Sequence, residues 1–318
     1  MRRFLLPADY VVYNGAGADP WPLDESLAYT RWLARSHYEN FHVASFLLPR
    51  RLHQDFYNLY AFCRWADDLG DEIGDPLRSL ELLEEWRLGL AAMYAGEARH
   101  PVFVALRTTV ERFGMPQQPF ADLIHAFVQD QTVTRYQSWD QLLEYCVYSA
   151  NPVGRLVLHL CGYTDDQRRE LSDFTCTALQ LANHWQDVGR DWEKGRVYIP
   201  LDAMAKHRYS VEALERDIAQ GQASEPFRAV LKDLGGRARE LFLKGLPLVD
   251  SVDRRLAVDL DLFSRGGMAI LDRIAAQNYD VIAQRPVIGK AAKGVLLLKA
   301  LGRRAMPKPL REAQHAYR

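Results

Sequence analysis

Apolar residues recur along this chain at the three-and-four spacing of helices, with no convincing run of strand-like alternation. Leu27, Ala28, Trp32 and Leu33 mark a helix over Leu23 to His37, and Phe56, Tyr60 and Cys63 begin a stripe within Arg50 to Glu72. Gly74 and Pro76 end that second segment. Leucine spacing predicts amphipathic helices over Pro76 to Ala95 and Pro101 to Phe113, each followed by a stopping glycine, and a further helix covers Pro119 to Thr134. Ser138 with Gln141, and Thr164 with Gln167, have capping-box spacing ahead of the segments Trp139 to Cys161 and the long helix to Trp192. Pro152 and Gly154 predict a kink in the former. Beyond Pro200 the pattern gives a short helix near Val211 to Gln220, long ones over Glu225 to Leu246 and Asp253 to Ala283, and a last one over Val287 to Leu301. Pro7, Gly15, Gly17, Pro20 and Pro22 predict an irregular arm over residues 1–22. The expected architecture is an all-α bundle, with a single domain over 23–302 and a tail over 303–318.

Two of these apolar stripes turn acidic. Asn183, Asp187 and Asp191 continue the row of Cys176 and Leu179, and Asp67 and Asp71 continue the row of Phe56, Tyr60 and Cys63, with Arg64 and Asp68 beside it. Because each row begins apolar, both faces are expected to point inward. Carboxylates one turn apart repel by a few tenths of a kcal/mol in water, and burial raises the cost to roughly several kcal/mol. One such run reads as a solvated helix face. Two runs, both continuing apolar stripes, point to a hard divalent cation such as Mg²⁺, whose shell is completed by water and phosphate oxygens.

Composition narrows the field. The 318 residues are 48% hydrophobic and 25% charged, with a formal net charge of −1, so the chain is globular and nucleic acid is not its partner. Nine histidines show no HExxH spacing, and Asn14 to Gly17 lacks the preceding strand of a dinucleotide loop. Cys63, Cys146, Cys161 and Cys176 sit among apolar residues without a CxxC pair, as reduced cysteines of a cytosolic protein do. No signal peptide or membrane-spanning run is visible. The short apolar run Val295 to Leu301 is flanked by Lys290, Lys293, Lys299, Arg303 and Arg304. Such an end suits peripheral contact with an anionic membrane, and equally an ordinary terminal helix.

Four stretches then resemble one family. They are Tyr60 to Asp71 (YAFCRWADDLGD), Tyr145-Cys-x-x-Ser-Ala150, Gln180-Leu-Ala-Asn-x-x-x-Asp-Val-Gly-x-Asp191, and Gly195 to Pro200 (GRVYIP). Together they resemble the signatures of squalene and phytoene synthases, from about His37 to Lys293. The resemblance implies an isoprenoid-synthase-type helical bundle around a central cavity, with Mg²⁺-dependent chemistry on prenyl diphosphates. It places Asp67, Asp71, Asn183, Asp187 and Asp191 on metal and diphosphate positions, with Asp68 among the catalytic carboxylates. Arg64, Tyr60, Tyr145, Tyr279 and Arg285 fall on positions that bind or shape the substrate.

Three local variants resemble one bacterial branch, that of hopanoid biosynthesis: His37-Tyr-Glu-Asn-Phe41, Asn151-Pro152, and His184-Trp-Gln186, where an Arg commonly precedes the Asp. That branch turns presqualene diphosphate and water into hydroxysqualene and diphosphate, while separate pathway enzymes make the substrate and reduce the product. The absence of a nicotinamide fingerprint agrees, since full squalene synthesis needs a hydride. On this reading Phe41, Tyr60 and Tyr145 are walls of the carbocation cavity. Glu39 accepts the proton of the attacking water, with Asn40 as the other polar candidate and a Glu39–Arg35 ion pair as the structural alternative. The nearest rival is a sister enzyme that condenses two prenyl diphosphates, such as farnesyl diphosphate. A rival of another class is a non-catalytic assembly factor on the same fold, which would be free to lose its carboxylates.

Overall fold

A computed structural model describes residues 4–14, 20–36 and 49–305. Among them the only β feature is an isolated bridge between Arg135 and Val197, so the fold is all-α. No helix among the described residues is long and apolar enough to cross a membrane. The chain divides into two compact units, residues 1–133 with 147–165, and residues 134–146 with 166–318.

In the first unit, α1 (Pro7–Asn14) and α2 (Leu23–Ser36) precede α3 (His53–Asp71), which is entered through a 3₁₀ turn at Arg50–Leu52. Then come α4 (Pro76–Tyr94), α5 (Pro101–Phe113) and α6 (Gln118–Gln129). Helix α3 is central and packs against α2, α4, α5 and α6. Its Asn58 is fully buried, which is tolerable because its amide is satisfied: it accepts from Thr30 at 2.7 Å and donates to the Ala105 carbonyl at 3.1 Å and to Thr109 at 3.0 Å. The arm expected to be irregular over 1–22 is in part helical. Pro7 occupies the first helical position, where a missing N–H costs nothing, and Tyr10 is buried edge-on against Trp65 with ring centroids 5.2 Å apart. The expected kink is real: Ala150 interrupts the ladder between α7 (Trp139–Ser149) and α8 (Asn151–Leu160), whose first turn holds Pro152.

In the second unit, α9 (Asp166–Gln186) runs into α10 (Val188–Glu193), followed by the short α11 (Leu201–Lys206) and α12 (Val211–Gln220). Helices α13 (Glu225–Gly245), α14 (Leu248–Ser251), α15 (Arg254–Ala276) and α16 (Lys290–Ala305) complete it. Helix α9 packs along both α13 and α15. Gly245 makes the α9–α13 approach possible, because a Cβ there would lie 3.0 Å from the Leu171 carbonyl oxygen. Helix α15 stops at Ala276, seven residues short of the expected Ala283. Asn278 and Tyr279 take positive φ values of 51° and 59°, which end the helix and turn the chain back.

Candidate functional site

The two acidic motifs lie one on each unit and are described separately. On α3, Asp67 and Asp71 lie on the row of Tyr60 and Cys63, and all four are partly accessible, where a core-facing row was expected. Asp67 retains 42% side-chain exposure, while its neighbour Asp68 is buried at 4%. Arg64, one turn earlier, reaches both: Nη1 donates to Asp67 at 3.2 Å and Nη2 contacts Asp68. Burial pushes the Asp68 carboxyl up to about 6, a rise that Arg64 opposes. Asp68 therefore faces away from the accessible row and holds Arg64 in place. Tyr60 is half-buried beside them, and desolvation raises its hydroxyl pKa.

On the second unit, Asn183 is exposed and Asp187 and Asp191 are partly exposed, again where an inward face was expected. The reason is energetic: partial exposure spares the carboxylates most of the desolvation cost. The expected continuous helix through Asp191 is bent instead. Asp187 sits between α9 and α10 with φ −105° and ψ 16°, yet its N–H still donates to the Asn183 carbonyl and its own carbonyl still accepts from Asp191 N–H, both at 2.9 Å. Arg285 grips the Asp187 carboxylate in a fork, Nε to Oδ1 at 2.5 Å and Nη2 to Oδ2 at 2.9 Å. These bonds raise the Arg285 pKa further.

Around Asp191 lies an aromatic cluster that sequence reasoning named only in part. Tyr145 is buried between Tyr136 and Tyr198, with ring centroids 5.4 and 5.6 Å away. His184 stacks on Tyr198 at 3.7 Å, with Nδ1 3.7 Å from an Asp191 carboxylate oxygen. Tyr198 was visible within the GRVYIP stretch, but nothing there announced its stacking role.

The segment carrying Arg285 is tied down on every side. Asp280 accepts from the N–H groups of Ala223 at 3.1 Å and Ala283 at 3.0 Å. Arg228 donates to Asp280 at 3.0 Å and to the Asn278 carbonyl at 2.9 Å. Gln277 donates to the Gln284 carbonyl at 3.1 Å, and the buried Gln186 amide donates to the Pro286 carbonyl at 2.5 Å. Sequence reasoning missed Gln186, Arg228 and Asp280 as parts of one assembly. Tyr279, assigned to the substrate by resemblance, is a half-buried residue of this turn.

Among the described residues no three His, Cys, Asp or Glu side chains converge into a preformed metal cluster. The accessible donors of Asn183, Asp187 and Asp191, like those of Asp67 and Asp71, are amide and carboxylate oxygens, which suit a hard cation that takes part of its shell from water and phosphate. The residues present thus fit Mg²⁺. Glu39, Asn40 and Phe41 lie outside the described residues.

Comparison with known proteins places these features in context. The family model described as squalene/phytoene synthase matches residues 34–292. A hydroxysqualene synthase of Zymomonas mobilis is 33% identical over 274 residues, covering 83% of this chain and 88% of that protein. A phytoene synthase of Thermus thermophilus is 31% identical, covering 86% and 92%. The crystal structure of the squalene synthase HpnC from Alicyclobacillus acidocaldarius superposes with a TM-score of 0.76 at 43% identity, covering 84% of this chain and 99% of that one.

Proposed function

Because the chain belongs to the squalene/phytoene synthase family, we propose that it converts presqualene diphosphate and water into hydroxysqualene and diphosphate. It is an enzyme acting on a prenyl diphosphate. The observation that carries the finer assignment is Gln186. This position, where an Arg is common in the family, is neutral, buried and engaged with the Pro286 carbonyl. Condensing two prenyl diphosphates requires two diphosphate groups to be neutralised, whereas the presqualene reaction requires one. A site with one cation fewer suits the smaller charge.

In this reading Asp67 and Asp71 are metal ligands, and so are Asn183, Asp187 and Asp191. Mg²⁺ held there would neutralise charge on the departing diphosphate. Arg64 and Arg285 bind diphosphate oxygens and so stabilise the leaving group as the carbon–oxygen bond ionises. Tyr60, Tyr145 and Phe41 supply aromatic faces to the carbocation. Glu39 or Asn40 holds one water, which adds to the carbocation as its proton passes to the carboxylate. Squalene and phytoene synthase relatives support the sister reaction as the second reading. Product analysis separates them. Presqualene diphosphate with Mg²⁺ and no NADPH should yield hydroxysqualene, and robust turnover of farnesyl diphosphate alone would favour the sister reaction.

The hydrocarbon substrate and product also call for a lipid-facing surface. Val295, Leu298 and Leu301 on α16 are exposed, and the helix carries basic and no acidic residues. We propose this face as a peripheral contact with anionic membrane, at the cytoplasmic side.

A further inference from the structure

We infer that Gln186 is a positioning residue for Arg285, acting through the Pro286 carbonyl, and that Arg228 with Asp280 anchors the same turn from its other end. This rests on the functional reading above, in which Arg285 meets the diphosphate. Gln186 directly precedes Asp187 in the chain, so one stretch of backbone carries both the carboxylate that Arg285 grips and the amide that fixes the residue after Arg285. That arrangement sets the guanidinium at two points. The Asp187 fork aims its head, and the Gln186 amide fixes the backbone from which its side chain springs.

The turn does not hold this shape by default. Asn278 and Tyr279 are consecutive side-chain-bearing residues at positive φ, a costly pairing that persists only where surrounding bonds over-determine it. Arg228 supplies part of that constraint, with 14% side-chain exposure and bonds to both the Asn278 carbonyl and the Asp280 carboxylate. The buried Gln186–Pro286 bond at one end and the Arg228–Asp280 pair at the other therefore spend no bond on substrate. Their shared effect is to keep Arg285 where its remaining N–H groups are ready for an anion, without a search by a long, flexible side chain.

The test is calorimetric binding of magnesium pyrophosphate to the full chain, comparing wild type, Gln186→Met, Arg285→Ala and the double variant. Gln186→Met should weaken binding about tenfold or more, and the double variant should bind no more weakly than Arg285→Ala alone. That non-additivity is the signature of action through Arg285, and a merely structural role would not produce it. Additive losses in the double variant, or unchanged affinity in Gln186→Met, would overturn the inference. Should circular dichroism show Gln186→Met to be unfolded, Arg228→Met takes its place in the same cycle, with the same expected outcome. Wild-type protein that binds no magnesium pyrophosphate would refute the functional reading and this inference with it. Normal binding by Arg285→Ala would remove Arg285 from the functional reading and the inference with it, whereas weakened binding by Arg285→Ala with normal binding by Gln186→Met would refute the inference alone.

Discussion

Asp68 receives Arg64 from one turn earlier on the same helix, with the carboxylate 4% and the guanidinium 26% exposed. Adjacent aspartates on α3 thereby acquire different duties. Asp67 stays accessible, as its proposed role of metal ligand requires, and Asp68 secures the Arg64 guanidinium.

Substitution should separate those duties. Asp67→Asn is expected to lower turnover by orders of magnitude with the melting temperature nearly unchanged. Asp68→Asn should instead act on the fold: it leaves Arg64 only the more exposed Asp67, and, because burial already raises the Asp68 carboxyl to about 6, it should remove the fall in stability that wild type shows as pH rises from about 4 to 6. Denaturant titrations beside steady-state rates would read both effects. A wild-type-like fall in the stability of Asp68→Asn between about pH 4 and 6 would contradict this division.

Metal dependence is the second expectation. Activity should vanish with EDTA and return with Mg²⁺, and Asp187→Asn should reduce it by orders of magnitude with the fold retained. Sequence reasoning predicts level or higher stability for that variant, through relief of carboxylate repulsion. The Arg285 fork reverses the sign. Both partners are partly exposed, so the expected loss is small, under about 1 kcal/mol. A metal-independent reaction would defeat the site assignment.

A third expectation concerns Asp259 on α15. It is 2% exposed, and neither carboxylate oxygen has a hydrogen-bond partner among the described residues. Burial pushes its carboxyl from 3.8 up to about 8, assisted by the Asp253 charge. Between those values the folded state holds the extra proton, so stability falls as pH rises through that window and levels off above it. The slope is at most about 1.4 kcal/mol per pH unit. Asp259→Asn should lose this component and melt higher than wild type at pH 8. Parallel melting curves for the two proteins from pH 5 to 8 would rule the effect out.

The fourth expectation is peripheral binding through α16. Flotation with vesicles containing anionic lipid should exceed that with neutral vesicles and weaken with salt, and Leu298→Glu should reduce it. Leu298 is 70% exposed, so the substitution leaves the core intact. Equal flotation with both lipid types would remove the idea.

The acidic motifs were legible because their spacing is local: Asn183, Asp187 and Asp191 declare themselves within nine residues. Their exposure was not legible, since an apolar stripe reads identically whether it packs against a helix or stays partly accessible. The bond from Gln186 to Pro286 spans 100 residues and that from Arg228 to Asp280 spans 52, and no periodicity reports such pairings. The all-α architecture followed from helical spacing, and beyond Pro200 α12 and α13 were found nearly to their ends, while the short α11 and α14 were not expected. The exceptions are instructive. Pro7 hid α1 because proline density suggests coil, although a first-turn proline is compatible with a helix. Tyr279 hid the end of α15 because nothing in a tyrosine announces a positive φ.

A single oxygen of Asp280 accepts the N–H groups of both Ala223 and Ala283. These amides, 60 residues apart in sequence, lose their protection from solvent deuterium together whenever that carboxylate swings away. Their hydrogen-exchange rates should therefore rise and fall in step, so that two ordinary alanines become paired clocks for the opening of the turn that carries Arg285.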